Sequence, residues 1–106
     1  MQVMRIGTKL FDVEIVNVPD DNILHGLQAL VDGYIEICTP YVLKCLHIEI
    51  LCNEEGLLKN LEPNINVCPY FLAGPLVAVG CDGEEFVSLN EDQIEARTFW
   101  LAELAG

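Results

Sequence analysis

The run Leu72-Ala-Gly-Pro-Leu-Val-Ala-Val-Gly80 constrains the fold more than any other part of this chain. It is apolar, β-branched and small-residue in character, as a buried central strand requires, and Cys81-Asp82-Gly83 then turns the chain toward Glu85-Phe86-Val87. Other segments are patterned to pair with it. Val3 to Ile6 and Lys9 to Val18 flank Gly7-Thr8, and in the second run Phe11, Val13 and Ile15 share one face while Asp12 and Glu14 share the other. That period of two predicts a half-solvated β-hairpin. Tyr34 to Cys38 reads as a third strand, with Tyr34, Glu36 and Cys38 on one face, ended by Thr39-Pro40. Leu46 to Cys52 reads as a fourth, followed by a turn over Asn53-Glu54-Glu55-Gly56. Leu57 to Tyr70, which holds Pro63 and Pro69, is read as mostly irregular.

Two stretches carry helical signals. Pro19-Asp20-Asp21-Asn22 supplies turn and capping residues, and Ile23, Leu24, Leu27, Leu30 and Val31 then recur with helical period, predicting a helix over 21–32 closed by a left-handed Gly33. Near the C-terminus Asn90 caps, Gln93 reaches back, Leu89 staples to Ile94, and Glu91 and Asp92 occupy the first turn. Ile94, Thr98, Leu101 and Leu104 or Ala105 form its apolar stripe. Phe99 and Trp100 fall outside a narrow stripe: either both widen the core face, or part of the pair stays exposed for a partner to cover. The fold predicted is α+β, one mainly antiparallel sheet of about five strands with two helices packed on it, in a single domain spanning residues 1–106.

Composition narrows the function. Five basic against 17 acidic residues give a net charge of −12. This argues against direct binding of duplex nucleic acid or an anionic membrane, since each phosphate contact normally asks for a Lys or Arg. A hydrophobic fraction of 52% separates the chain from acidic disordered tails. No apolar run approaches the roughly 20 residues that span a bilayer, and Met-Gln-Val-Met-Arg does not open a secretory signal, so a cytoplasmic location is expected. Cys38, Cys45, Cys52, Cys68 and Cys81 contain no Cys-x-x-Cys pair and are read as reduced, mostly buried thiols.

Little in the chain points to catalysis. Cys45, His47 and Cys52 are the nearest local set of metal-ligating types, but in a strand beginning near Leu46 the first two share a face and Cys52 lies on the other, so neither a metal nor another cofactor is expected. His25 and His47 are the only histidines, and no Gly-x-Ser-x-Gly or Cys–His pattern surrounds a nucleophile, so no catalytic residue is assigned. Glu54-Glu55 and Glu84-Glu85 are read as solvated turn acids. Gly80-Cys81-Asp82-Gly83 lacks the following helix N-terminus and basic neighbour of a phosphate cradle. Arg5, Lys9, Lys44, Lys59 and Arg97 are scattered, which excludes a long polyanion but leaves room for a small phosphorylated ligand.

Three blocks stand out together: Leu27-Gln-Ala-Leu-Val-Asp-Gly-Tyr-Ile-Glu36, Cys52-Asn-Glu-Glu-Gly56 with Asn64 beyond it, and Ala73-Gly-Pro-Leu-Val-Ala-Val-Gly80 leading through Asp82-Gly83 to Phe86-Val-Ser-Leu-Asn-Glu-Asp-Gln-Ile-Glu95. This order resembles DUF3846, a domain of unknown function of small phage and mobile-element proteins. Asp32 stands where the family commonly has Gly, and Asn90 where it has Thr. The resemblance implies an accessory protein acting inside a bacterial host, and counter-defence is the role expected of it. It brings no catalytic residues.

The function expected is therefore non-enzymatic: sequestration of a small nucleotide-type immune signal in pockets of a homo-oligomer, with Tyr34, Tyr41, Tyr70, Phe99 and Trp100 as stacking or interface area. The alternative is an acidic inhibitor or nucleic-acid mimic that docks on a host defence protein. Chemistry nominates Asn53, Glu54, Glu55, Gly56, Asn64 and Trp100 as ligand contacts. Turn geometry is the competing account of Asn53 and Gly56, and local backbone bonding that of Asn64.

Overall fold

The computed structural model describes residues 1–39, 41–56, 58–64, 66–67 and 72–105. The readings of Pro40, Cys68 and Tyr70, and of the Tyr41 side chain, lie outside the described residues. Among the described residues six strands form one sheet: β1 (Gln2–Ile6), β2 (Val13–Asn17), β3 (Ile35–Ile37), β4 (Ile48–Asn53), β5 (Leu76–Asp82) and β6 (Glu85–Val87). Their order is β2-β1-β5-β4-β3, with β6 also on β5, and every pairing is antiparallel. The central run is thus central: β5 pairs β4 along one edge, β1 at Leu76 to Ala78 on the other, and β6 at Gly80 to Asp82. Because Gly80 faces both Ile48 and Val87, β6 must lie on the β1 side of β5.

Alternation sorts the core into two halves. Leu76 and Ala78 of β5, Met4 and Ile6 of β1, and Ile48, Ile50 and Cys52 of β4 face one way and meet Leu43, Trp100 and Leu104. Val77, Val79, Val3 and Leu51 face the other way and meet Leu27 and Val31. Accordingly α1 (Ile23–Val31) covers one face, while α2 (Tyr41–Lys44) and the pair α3 (Glu91–Glu95) and α4 (Arg97–Ala105) cover the opposite one. The α+β sheet with packed helices is as expected; α2 is an addition, since four residues after a proline carry too little periodicity to be read. Among the described residues no helix is long and apolar enough to cross a membrane.

Local departures have local causes. β2 begins at Val13 rather than Lys9, because Phe11 takes φ of 62° and the Gly7 N–H bonds the Asp12 carbonyl, folding 7–12 into a wide turn. Asn22 caps α1 by accepting from the His25 N–H at 3.2 Å. The left-handed residue that closes α1 is Asp32, φ 61°, and not Gly33. Gly33 serves a different need, since a Cβ there would sit 2.6 Å from the Asn53 amide nitrogen. The C-terminal helix breaks at Ala96 into α3 and α4. Phe99 and Trp100 divide between the two roles open to them: Trp100 is fully buried and Phe99 is 58% exposed.

Candidate functional site

The six nominated residues do not converge. Asn53 ends β4 and is buried; its amide donates to the Val31 and Asp32 carbonyls at 3.0 and 2.9 Å, and its oxygen accepts from the Glu55 N–H at 2.8 Å. It supplies the orphan carbonyls at the end of α1 with donors. Asn64, also buried, donates to the carbonyls of Ile6 and Gly74 at 3.1 and 3.0 Å and accepts from the Asn66 N–H at 3.0 Å. Asn66 continues the stitching, donating to the Gly7 and Lys9 carbonyls and accepting from the Phe11 N–H. These three asparagines hold turns that have no ladder of their own. Asn66 was missed in the sequence, although its place two residues after Asn64 is the signal that the pair works together.

Asn53, Glu54 and Gly56 line a shallow cavity of about 310 Å³ with Glu36, Cys52 and Leu58. Glu55 is exposed beside it. Trp100 belongs elsewhere, at the floor of a larger cavity, about 570 Å³, which opens between the turn 45–47, the β5–β6 hairpin and the start of α3.

This larger cavity is built around Gln93. Its backbone N–H donates to Asn90 Oδ1 at 2.7 Å while its Oε1 accepts from the Asn90 N–H at 2.9 Å, completing the expected capping box. Its Nε2 donates to the Leu46 and His47 carbonyls, both at 3.0 Å. Its backbone carbonyl accepts from Trp100 Nε1 at 2.8 Å. One side chain therefore joins α3 to the turn 45–47, and one carbonyl anchors the tryptophan beneath. Cys45 and His47 lie in that turn and not in a strand. His47 holds φ of 58°, a strained conformation for a residue other than glycine, and its carbonyl also accepts from the Cys81 N–H. Gly80 lets the far wall close in, because a Cβ there would meet the Ser88 carbonyl at 2.6 Å.

The polar groups on this wall are His47, Asp82, Ser88, Asn90 and Asp92, with Gln93. No Lys or Arg lines it among the described residues. Ser88 Oγ accepts from the Gln2 N–H at 2.9 Å, tying the wall to β1. Burial pushes the Cys81 thiol pKa up, with the nearby Glu49 and Asp82 charges adding to the shift, so this cysteine stays protonated and is a poor nucleophile. Among the described residues no three His, Cys, Asp or Glu side chains are grouped to hold a metal ion. Among the described residues the Asp82 and Asp92 carboxylates and the His47 imidazole carry no hydrogen bond, whereas Asn90 Oδ1 and the Gln93 amide are taken up by the capping box and the turn 45–47.

Against known proteins, a family model described as a domain of unknown function, DUF3846, matches residues 1–102. The chain belongs to the DUF3846 family. No curated protein and no solved structure matches it. Within this DUF3846 protein, the family-like Phe86 to Glu95 stretch forms β6, the link to α3 and α3 itself, and so supplies much of the larger cavity's wall.

Proposed function

We propose that this DUF3846 protein is a non-enzymatic binding protein that sequesters a small nucleotide-derived ligand, the base entering the cavity between the turn 45–47 and α3. The observation that carries the reading is the wall bearing Asp82 and Asp92 over the Trp100 floor. A volume of about 570 Å³ falls within the range of small-ligand sites. A carboxylate accepts best from two parallel N–H donors, as the guanine edge presents, and repels phosphate. The phosphates then lie outside this wall and meet cations from a second copy, which is why the reading calls for a homo-oligomer. The counter-defence role rests on the phage and mobile-element setting expected from the resemblance, an argument by analogy.

A second reading draws on Glu84 in the β5–β6 turn and Glu85 at the start of β6, beside Asp82. Together they present an acidic end fit to dock on a basic patch of a host defence enzyme, with charge steering the encounter.

Native mass spectrometry of the protein with cyclic dinucleotides, guanosine and adenosine tests the first reading. The expected result is an oligomer carrying a guanine-bearing ligand, released intact on heat denaturation. A monomer that retains none of them, or release of a cleaved product, overturns it.

A further inference from the structure

A second piece of chemistry lies at the opposite edge of the sheet. β3 is a three-residue edge strand paired, among the described residues, only with β4, in the register Glu36 to Cys52 and Ile37 to Leu51. The Cys38 N–H donates to the Ile50 carbonyl at 2.9 Å, carrying that pairing one residue further. Cys38 and Cys52 are therefore diagonal neighbours on adjacent strands, and the side-chain period of two puts both on the same face of the sheet. Both pack at the border of the same core cluster, Cys38 half-buried and Cys52 only 4% exposed. The Cys38 thiol donates to the Ile50 carbonyl at 3.5 Å. Cys52 also lines the 310 Å³ cavity, which gives a small reactant an approach.

We propose that Cys38 and Cys52 form a site of reversible thiol–disulfide exchange with a low-molecular-weight disulfide, the product bond fastening β3 to β4. The neighbouring Cys38 side chain holds the Cys52 pKa down, while the Cys52 sulfur and burial push the Cys38 pKa up. Cys52 is thus the sulfur that ionises first, and the thiolate is the attacking species. The Cys52 thiolate bonds to one sulfur of the small disulfide, whose S–S bond breaks with its electron pair leaving on the other sulfur. The departing thiolate takes the Cys38 proton. Cys38 then attacks the Cys52 sulfur and expels the second small thiolate, which takes up the proton that Cys52 released to solvent. Two cysteine thiols are oxidised to one disulfide and one small disulfide is reduced to two thiols. Closing the bond brings the Cβ atoms to about 4 Å, a shift that a short edge strand with one free side can make.

The test uses the full chain carrying Cys45→Ser, which removes an exposed competing thiol. The folded protein is incubated with oxidised glutathione, alkylated and digested with trypsin, whose cut after Lys44 leaves Cys38 in residues 10–44 and Cys52 in residues 45–59. The expected product is these two peptides joined by a disulfide, returned to thiols by excess reduced glutathione and absent from the Cys38→Ser variant, in which the Cys52 peptide carries glutathione instead. Glutathione adducts without the joined peptides overturn the proposal. So does a joined pair that forms only when the chain is unfolded in urea.

Discussion

The turns stitched by Asn53, Asn64 and Asn66 and the cavity over Trp100 are both polar, yet they use polarity in opposite ways. Each buried asparagine gives its amide and its oxygen to backbone groups. Around the cavity, by contrast, no hydrogen bond among the described residues occupies the Asp82 or Asp92 carboxylates or the His47 imidazole. A polar side chain whose bonding capacity is filled by its own backbone holds the fold, whereas one left facing a cavity is available to something else. Residue type does not separate these cases; burial and partners do.

The comparison breaks most readily at the tryptophan, which belongs to both fold and cavity. Trp100→Ala removes a fully buried indole and its bond to the Gln93 carbonyl, and should cost about 4 kcal/mol. Urea denaturation measures it; a loss under about 1 kcal/mol would mean the floor is not core. Asn64→Ala strands three buried backbone groups and should cost about 3 kcal/mol, and Asn53→Ala about 2 kcal/mol, by the same measurement. Either variant retaining full stability while losing ligand would move the binding site to the asparagine turns. Asn90→Ala removes half of the capping box and should cost about 1 kcal/mol. Asp82→Asn with Asp92→Asn should change stability by no more than about 0.5 kcal/mol, since both groups are exposed and carry no ion pair among the described residues.

Much of this architecture was legible because its signals are local. The Leu72 to Gly80 run, the alternation after Val13, and the Asn90 and Gln93 capping pair each declare an element within a few residues. What was not legible is non-local. Gly33 looked like a helix terminator because the Asn53 amide that crowds it is twenty residues away in sequence. The bonds of Asn64 to the Ile6 and Gly74 carbonyls leave no trace in its own neighbourhood. The cavity wall draws His47 from one turn, Asp82 from a hairpin and Asp92 from a helix start, so no single motif announces it. Trp100 was singled out for its chemistry alone; its place at the cavity floor follows from the break at Ala96, which a continuous helical stripe did not foresee.

Isothermal titration calorimetry with cyclic diguanylate, on the wild-type protein and the Asp82→Asn, Asp92→Asn double variant, tests the central claim most directly. The account predicts saturable binding to the wild type and affinity weaker by about tenfold or more in an equally stable variant. Equal affinity for the two proteins, or no heat of binding to the wild type, would contradict it.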